Sequence, residues 1–331
     1  MTSWQAFHLF YARPEHADRL ATAVDRILRS LTDRHGDWFF IRYAEGGPHL
    51  RIRVGPDALP VYERLRERAA AECARLADEG TDTDWIASVR YADRDGRYFD
   101  PGTQAEIAYE PETERYGGPH ALVENERLFR VSTAIAIRAV ELTGPDLQKR
   151  ARLAIDLMLV SAAAAECCGW SPGAFFDHYA RGWRDGFPGW MQPAVDALPD
   201  DGRLAKRYGK HVDFVRSGRP ADSLTTHWGV AIVEACRTFV AMDRDGRLWS
   251  PMHGRPPVDD AERSKAIAGM IYSQLHMMNN RLGFAPATEV VWSEGLATHL
   301  GGPAASPGFV RDELAPSLGI DRAGVAFGPE R

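Results

Sequence analysis

The sequence predicts an α+β fold, and three observations predict it. Aromatic or alternating stretches over residues 4–12, 38–43 and 49–54 carry the period of strands. Amphipathic stretches over 14–31 and 60–77 lie between and after them with the period of helices. From Gly118 onward nearly every segment reads as helix.

Taken in order, residues 4–12 form the first strand. Pro14 opens a helix to Leu31, with Leu20, Ala23, Val24, Ile27 and Leu31 on one stripe. Trp38–Tyr43 and His49–Val54 are two strands joined by a turn at Gly46-Gly47-Pro48, and 60–77 is a second helix. Trp85, Ile86 and Val89 read 84–91 as a further strand. Strand, helix, strand, strand, helix, strand is the split βαβ, ferredoxin-like arrangement, here spanning 1–95. A helical part follows over 96–300, with a short strand at 105–109 and helices at 119–142, 145–168, 172–180, 203–216, 223–243, 257–282 and 286–300. Gly, Pro and Ala dominate 301–331, which reads as a surface tail. The expectation is a single domain over 1–331, its sheet packed against a larger helical layer, with a substrate cleft between the two parts.

Bulk composition bounds the function. The chain has 331 residues, 44% apolar, 26% charged, with a formal net charge of −6. These values belong to an ordinary globular protein and argue against bulk nucleic-acid binding, while leaving room for a local basic pocket. Four cysteines, Cys73, Cys167, Cys168 and Cys236, form no CxxC pair and match no structural zinc spacing, as expected of reduced thiols. No secretion signal is read at the N-terminus, and the most apolar stretch, Ala151 to Ala165, is short and carries Arg152 and Asp156. A cytoplasmic location without membrane contact is therefore expected.

Three clusters carry candidate chemistry. On the strand His49-Leu50-Arg51-Ile52-Arg53-Val54, alternation puts His49, Arg51 and Arg53 on one face and the apolar residues on the other. Two guanidiniums there suit a carboxylate or phosphate, and suit equally an ordinary solvated face. Arg42 and Tyr43 are read as cross-strand partners. The loop Glu110 to Pro119, with Glu112, Arg115 and the pair Gly117-Gly118, fits either a functional loop or a connector. The third cluster closes a long helix, with Gly283 as its C-cap and Ile271, Leu275, Met278 and Leu282 as its core stripe. His276 and Asn280 are four apart and expected to point one way, with Arg281 beside them. They can hold an anion and move a proton, or simply complement the helix dipole. Ser132, Ser161, Glu166 and His178 lie in no nucleophile elbow. Trp170, Trp183 and Trp190 read as core anchors, or as the lining of a peptide groove. No GxGxxG, P-loop or metal-spaced motif is present.

Together, three blocks resemble a known family. They are Trp38–Tyr43 running into Pro48–Arg53, Tyr109–Gly118, and His276–Gly283. In this order, spread over nearly the whole chain, they resemble the C-terminal, glutamate-eliminating domain of lantibiotic dehydratases, also known as the thiopeptide-type bacteriocin biosynthesis domain. The glutamylation portion of a full dehydratase is not seen, so the resemblance is to a stand-alone elimination domain. It implies that a separate glutamyl-tRNA-dependent enzyme esterifies Ser or Thr of a precursor peptide, leader plus core. This protein then removes the Cα proton and expels glutamate, leaving dehydroalanine or dehydrobutyrine, with no metal, nucleotide or redox cofactor. The resemblance makes Arg53, Arg115 and His276 the essential residues: Arg53 for the glutamyl group, Arg115 for a carboxylate or the enolate oxygen, the two roles being exchangeable, and His276 for proton transfer as base or acid. Arg51, His49, Asn280 and Arg281 are implied substrate contacts, and Glu112 orients Arg115. A homodimer is compatible with it, and direct nucleic-acid contact is not expected. The rival readings are a pyridine synthase joining two dehydroalanines with loss of the leader, a non-catalytic peptide-binding subunit offering an edge strand, and an unrelated enzyme for a small dicarboxylate.

Overall fold

The computed structural model describes residues 4–89, 93, 95–166, 168–186 and 203–301. They group into two compact units. The first runs to Pro111 and adds Phe129–Leu147 and Asn280–Gly283; the second holds Glu112–Leu128, Gln148–Asn279 and the residues from Phe284. The elements are β1 (Gln5–Phe10), α1 (Pro14–Leu31), β2 (Trp38–Tyr43), β3 (His49–Val54), a 3-10 turn (Pro56–Val61), α2 (Tyr62–Asp78), α3 (Thr83–Val89), β4 (Gln104–Ala105), α4 (Gly118–Thr143), α5 (Leu147–Glu166), α6 (Pro172–Gly186), α7 (Leu204–Ser217), α8 (Leu224–Arg244), α9 (Asp260–Leu282) and α10 (Pro286–His299). The chain is thus mixed, mostly helical, with one small sheet near its N-terminus.

In the first unit the sheet order is β2-β3-β1-β4, every neighbouring pair antiparallel. Ile52 lies opposite both Phe7 and Phe40, so Phe7, Leu9, Trp38, Phe40, Leu50, Ile52 and Val54 share one face. All are buried, and α1 and α2 cover them through Leu20, Val24 and Leu28 and through Leu65, Ala69, Cys73 and Leu76. Each large side chain sealed there contributes about 1.5–3 kcal/mol. The opposite face carries Ala6, His8, Phe10, Phe39, Ile41, Tyr43, His49, Arg51 and Arg53.

β2 is an edge strand, and two helix segments of the same unit cover its free side. Thr133 Oγ1 accepts from the Phe40 N–H at 3.4 Å. The Asn280 amide takes the place of a neighbouring strand, accepting from the Arg42 N–H at 2.8 Å and donating to its carbonyl at 2.9 Å. An edge paired in this way offers no template for another chain. Gly283 ends α9 as expected. Its φ is +89°, the Gly283 N–H reaches the Asn280 carbonyl at 3.0 Å and the Phe284 N–H reaches that of Asn279 at 3.0 Å, a Schellman turn.

The expected strand at 84–91 is not one: its described part is α3, while Arg90 and Tyr91 lie outside the described residues. Trp85, Ile86 and Val89 fit a helix face as well as a strand, and Asp82 decides the matter. Its carboxylate accepts from the Trp85 N–H at 2.9 Å and its carbonyl from the Ile86 N–H at 3.0 Å, an N-cap that starts a helix. The fourth strand comes instead from Gln104–Ala105, and of the strand expected at 105–109 only Ala105 pairs.

The second unit is built from helices. Met158, Phe175, Phe176, Trp228, Phe239, Ile267, Met270, Leu275, Met278 and Trp292 are its buried centre. Ser161 is structural there: it donates to the Leu157 carbonyl at 2.8 Å and accepts from the Trp228 indole at 2.9 Å. Trp170 is a core anchor, its indole N–H 3.4 Å from the Ser264 carbonyl and its ring against His178 and Tyr272. α6 extends six residues past the expected end at 180, far enough to place Trp183 beside His276. Trp190, Cys167 and the tail from Gly302 lie outside the described residues. Among the described residues no helix is long and apolar enough to cross a membrane.

Candidate functional site

Two polar clusters hold the candidate residues, one in each unit. In the first, pleating places His8, His49, Arg51 and Arg53 side by side on the sheet. This face is not solvated: His8, His49 and Arg53 are buried, and Arg51 is half-buried. Aromatic rings surround it. The His8 and His49 rings stack at 4.7 Å, Phe10 lies against His49, and the guanidinium carbons of Arg51 and Arg53 sit 3.6 Å from the Tyr43 ring and 5.4 Å from the Tyr109 ring.

Hydrogen bonds fix the proton on His49. Its Nδ1 faces the Gly47 carbonyl at 2.7 Å and can only donate, so Nε2 accepts from Arg51 Nε at 3.1 Å. Arg51 also pairs with Glu45 at 3.0 Å. Burial, then the charges of Arg51 and Arg53, push the His49 pKa down to about 3 against the support of the Gly47 carbonyl. Burial, His49, Arg53 and Arg51 push His8 far down as well. Both imidazoles are neutral at neutral pH, and neither ring nitrogen of His8 has a hydrogen-bond partner among the described residues. The face therefore presents guanidinium charge and neutral rings to whatever anion meets it.

Asn280 and Arg281 belong to this unit too. The Asn280 amide is committed to the Arg42 backbone. Arg281 is fully buried, its guanidinium 5.3 Å from the Phe129 ring, and its carbonyl accepts from Arg42 at 2.8 Å. The Arg42 side chain also pairs with Asp18. Asn280 and His276 have separate partners: Asn280 serves Arg42, and His276 serves Glu289.

In the second unit the turn at 112–118 aims Arg115. Gly117 and Gly118 have φ of +78° and +91°, and a Cβ on them would fall 2.5 Å from Met270 Sδ and 2.7 Å from the Trp249 ring, so only glycine fits. Arg115 pairs with Glu112 at 2.9 Å and reaches Ser273 Oγ at 3.5 Å. Ser273 precedes His276 by one turn of α9. His276 Nδ1 lies 2.9 Å from Glu289 Oε1. Glu289, on α10, is completely buried, and its second oxygen accepts from the Tyr179 hydroxyl and from Asn279 Nδ2 at 3.3 Å. Burial, then Glu289, raises the Tyr179 pKa well above its usual value, so the phenol keeps its proton and donates. The Trp183 ring meets the His276 ring edge-on at 4.5 Å.

The sequence reading did not find His8, Tyr179, Ser273 or Glu289. A signal existed for two of them. His8 interrupts an otherwise apolar alternating strand, and Glu289 sits on the buried stripe of α10 with Ser293 and Leu296. A charge on an apolar stripe is seldom idle. Tyr179 and Ser273 carried no local signal.

No curated protein sequence matches the chain. The family model described as lantibiotic biosynthesis dehydratase C-term matches residues 4–300. Among solved structures, the chain is similar to the pyridine synthase TbtD from thiomuracin biosynthesis, with TM-score 0.60 and 15% identity over 89% of this chain and 97% of that one. It is similar to TsrL with TM-score 0.55 and 18% identity over 90% and 94%. The tRNA dependent lantibiotic dehydratase MibB from Microbispora sp. 107891 aligns with TM-score 0.47 and 21% identity, over 89% of this chain and 28% of that one. With its three sequence blocks placed in the fold and a family match over residues 4–300, the chain belongs to the lantibiotic dehydratase C-terminal family.

Proposed function

We propose that the protein eliminates glutamate from glutamylated Ser or Thr residues of a ribosomally made precursor peptide, as the carbon–oxygen lyase half of a split tRNA-dependent dehydratase. The observation that carries this reading is the largely buried sheet face with Arg51 and Arg53 beside neutral imidazoles. A leaving group with carboxylates is matched by rigid, weakly hydrated forks in a low-dielectric setting. The strand order and the all-antiparallel pairing support reading the sheet as a split βαβ unit, with the helix α1 connecting β1 to β2.

The chemistry sets the roles. The Cα hydrogen beside an amide carbonyl is weakly acidic, so a base and enolate-stabilising donors are needed together. Arg53 holds the glutamyl group with Arg51 in support, and Arg115, oriented by Glu112, serves a carboxylate or the enolate oxygen. His276 takes the Cα proton. The C–H electron pair becomes the new Cα–Cβ π bond, the Cβ–O bond breaks, and its pair leaves on the glutamate carboxylate. His49 sets Arg51 through the 3.1 Å bond, and Asn280 and Arg281 shape the sheet edge. A separate glutamylating enzyme supplies the substrate, and the protein works in the cytoplasm.

A second reading, pyridine synthesis from two dehydroalanines with leader loss, is favoured by one observation: likeness to TbtD along nearly all of both chains. Single replacements separate the two. Arg53→Ala, Arg115→Ala and His276→Ala should each slow glutamate release from a glutamylated peptide about 10²–10⁴-fold. Wild-type release by all three variants would remove the elimination reading.

A further inference from the structure

Glu289 is a buried carboxyl group whose surroundings are all donors. Oε2 takes the Tyr179 hydroxyl and the Asn279 amide, and Oε1 faces His276 Nδ1. As a carboxylate, Glu289 can only accept there, which puts the proton of that contact on Nδ1. Nε2 has no hydrogen-bond partner among the described residues. The Trp183 ring against the imidazole and the Asn279 amide, on the same helix as His276, leave the Glu289–His276 contact little freedom to re-form elsewhere. We propose that Glu289 is a positioning residue that holds the His276 proton on Nδ1 and keeps a bare Nε2 as the edge that receives the substrate proton.

This inference rests on the reading of His276 as the proton-transfer group and deepens it. When Nε2 takes the Cα proton, both ring nitrogens carry hydrogen and the ring is an imidazolium. Glu289 already accepts from Nδ1, so the new positive charge meets a partner in place, with no reorganisation. Tyr179 and Asn279 prevent Glu289 from turning away.

Glu289→Gln tests it through a specific geometric conflict. Two donors, Tyr179 and Asn279, face the Oε2 position, so the glutamine must put its carbonyl oxygen there. Its NH₂ then faces His276 and donates to Nδ1, which forces the ring proton onto Nε2. The experiment records ¹⁵N spectra of histidine-labelled protein at alkaline pH, the His276 signals assigned by their loss in His276→Gln. The wild type should show the Nδ1–H tautomer; an Nε2–H tautomer there overturns the proposal without recourse to any variant. Glu289→Gln should convert the signals to Nε2–H and cut glutamate release about 10²–10⁴-fold, in the range lost when a catalytic imidazole loses its orienting acceptor. Should that variant not fold, Glu289→Asp, which withdraws the carboxylate by one methylene, should release the tautomer preference. An unchanged ring signal in the folded variant overturns the proposal, as do converted signals with undiminished release where the wild type releases glutamate. The two readings fail separately. Converted ring signals in a protein whose wild type releases no glutamate leave Glu289 in place and refute elimination; unresponsive signals in a protein that does release glutamate refute the positioning role alone.

Discussion

His8 and His49 show how little a residue type says about its state. Both are histidines on a face that also carries two arginines, yet burial and those charges keep both neutral. Their folded-state pKa lies below the unfolded value near 6.5, so between the two values the unfolded chain binds more protons. Stability is therefore full above about pH 6.5 and falls as the pH drops from there toward about 3 for His49. Each such histidine contributes a slope of about 1.4 kcal/mol per pH unit in that window. His8→Phe, a ring for a ring, should remove about one such slope in urea unfolding between pH 7 and pH 5; an identical pH dependence in the two proteins would mean His8 is protonated in the fold. At this scale the sequence showed which residues have the right chemistry but not what they touch. Arg53, Arg115 and His276 stand out by type and motif, whereas Tyr179 and Glu289 meet across 110 positions of chain and His276 and Glu289 across 13. Such partners are products of the fold.

The elements were far more legible, because their signals are local. The aromatic run of β2, the alternation in β3, Pro14 opening α1 and Gly283 closing α9 lie within a few residues of the structure they dictate. The failure at α3 has the same origin. Three apolar residues at 85, 86 and 89 satisfy both periods, and one capping side chain, Asp82, tips the balance. β4 is two residues long and exists only because β1 offers it a partner, which no local pattern announces. The C-terminal turn of α9 carries a prediction at this scale. Asn280→Ala leaves the Arg42 N–H and carbonyl on the β2 edge without their 2.8 and 2.9 Å partners, which should cost about 1–3 kcal/mol in denaturant unfolding. Lost glutamate release with an unchanged unfolding midpoint would instead put Asn280 at the substrate.

For the molecule as a whole, one fold serves more than one reaction, and likeness of fold to a pyridine synthase leaves the choice of chemistry to the residues. On the proposed elimination, a carboxylate leaving group would account for arginines at 51 and 53 on a largely buried sheet face. Joining two dehydroalanines expels no glutamate and makes no use of a glutamate site. The most direct measurement follows a glutamylated precursor peptide by mass spectrometry after incubation with this protein alone. Elimination gives free glutamate and a peptide lighter by one glutamate and carrying a dehydro residue for each site processed. A glutamylated peptide that persists, while an already dehydrated peptide given to the same protein closes into a macrocycle and loses its leader, would contradict it.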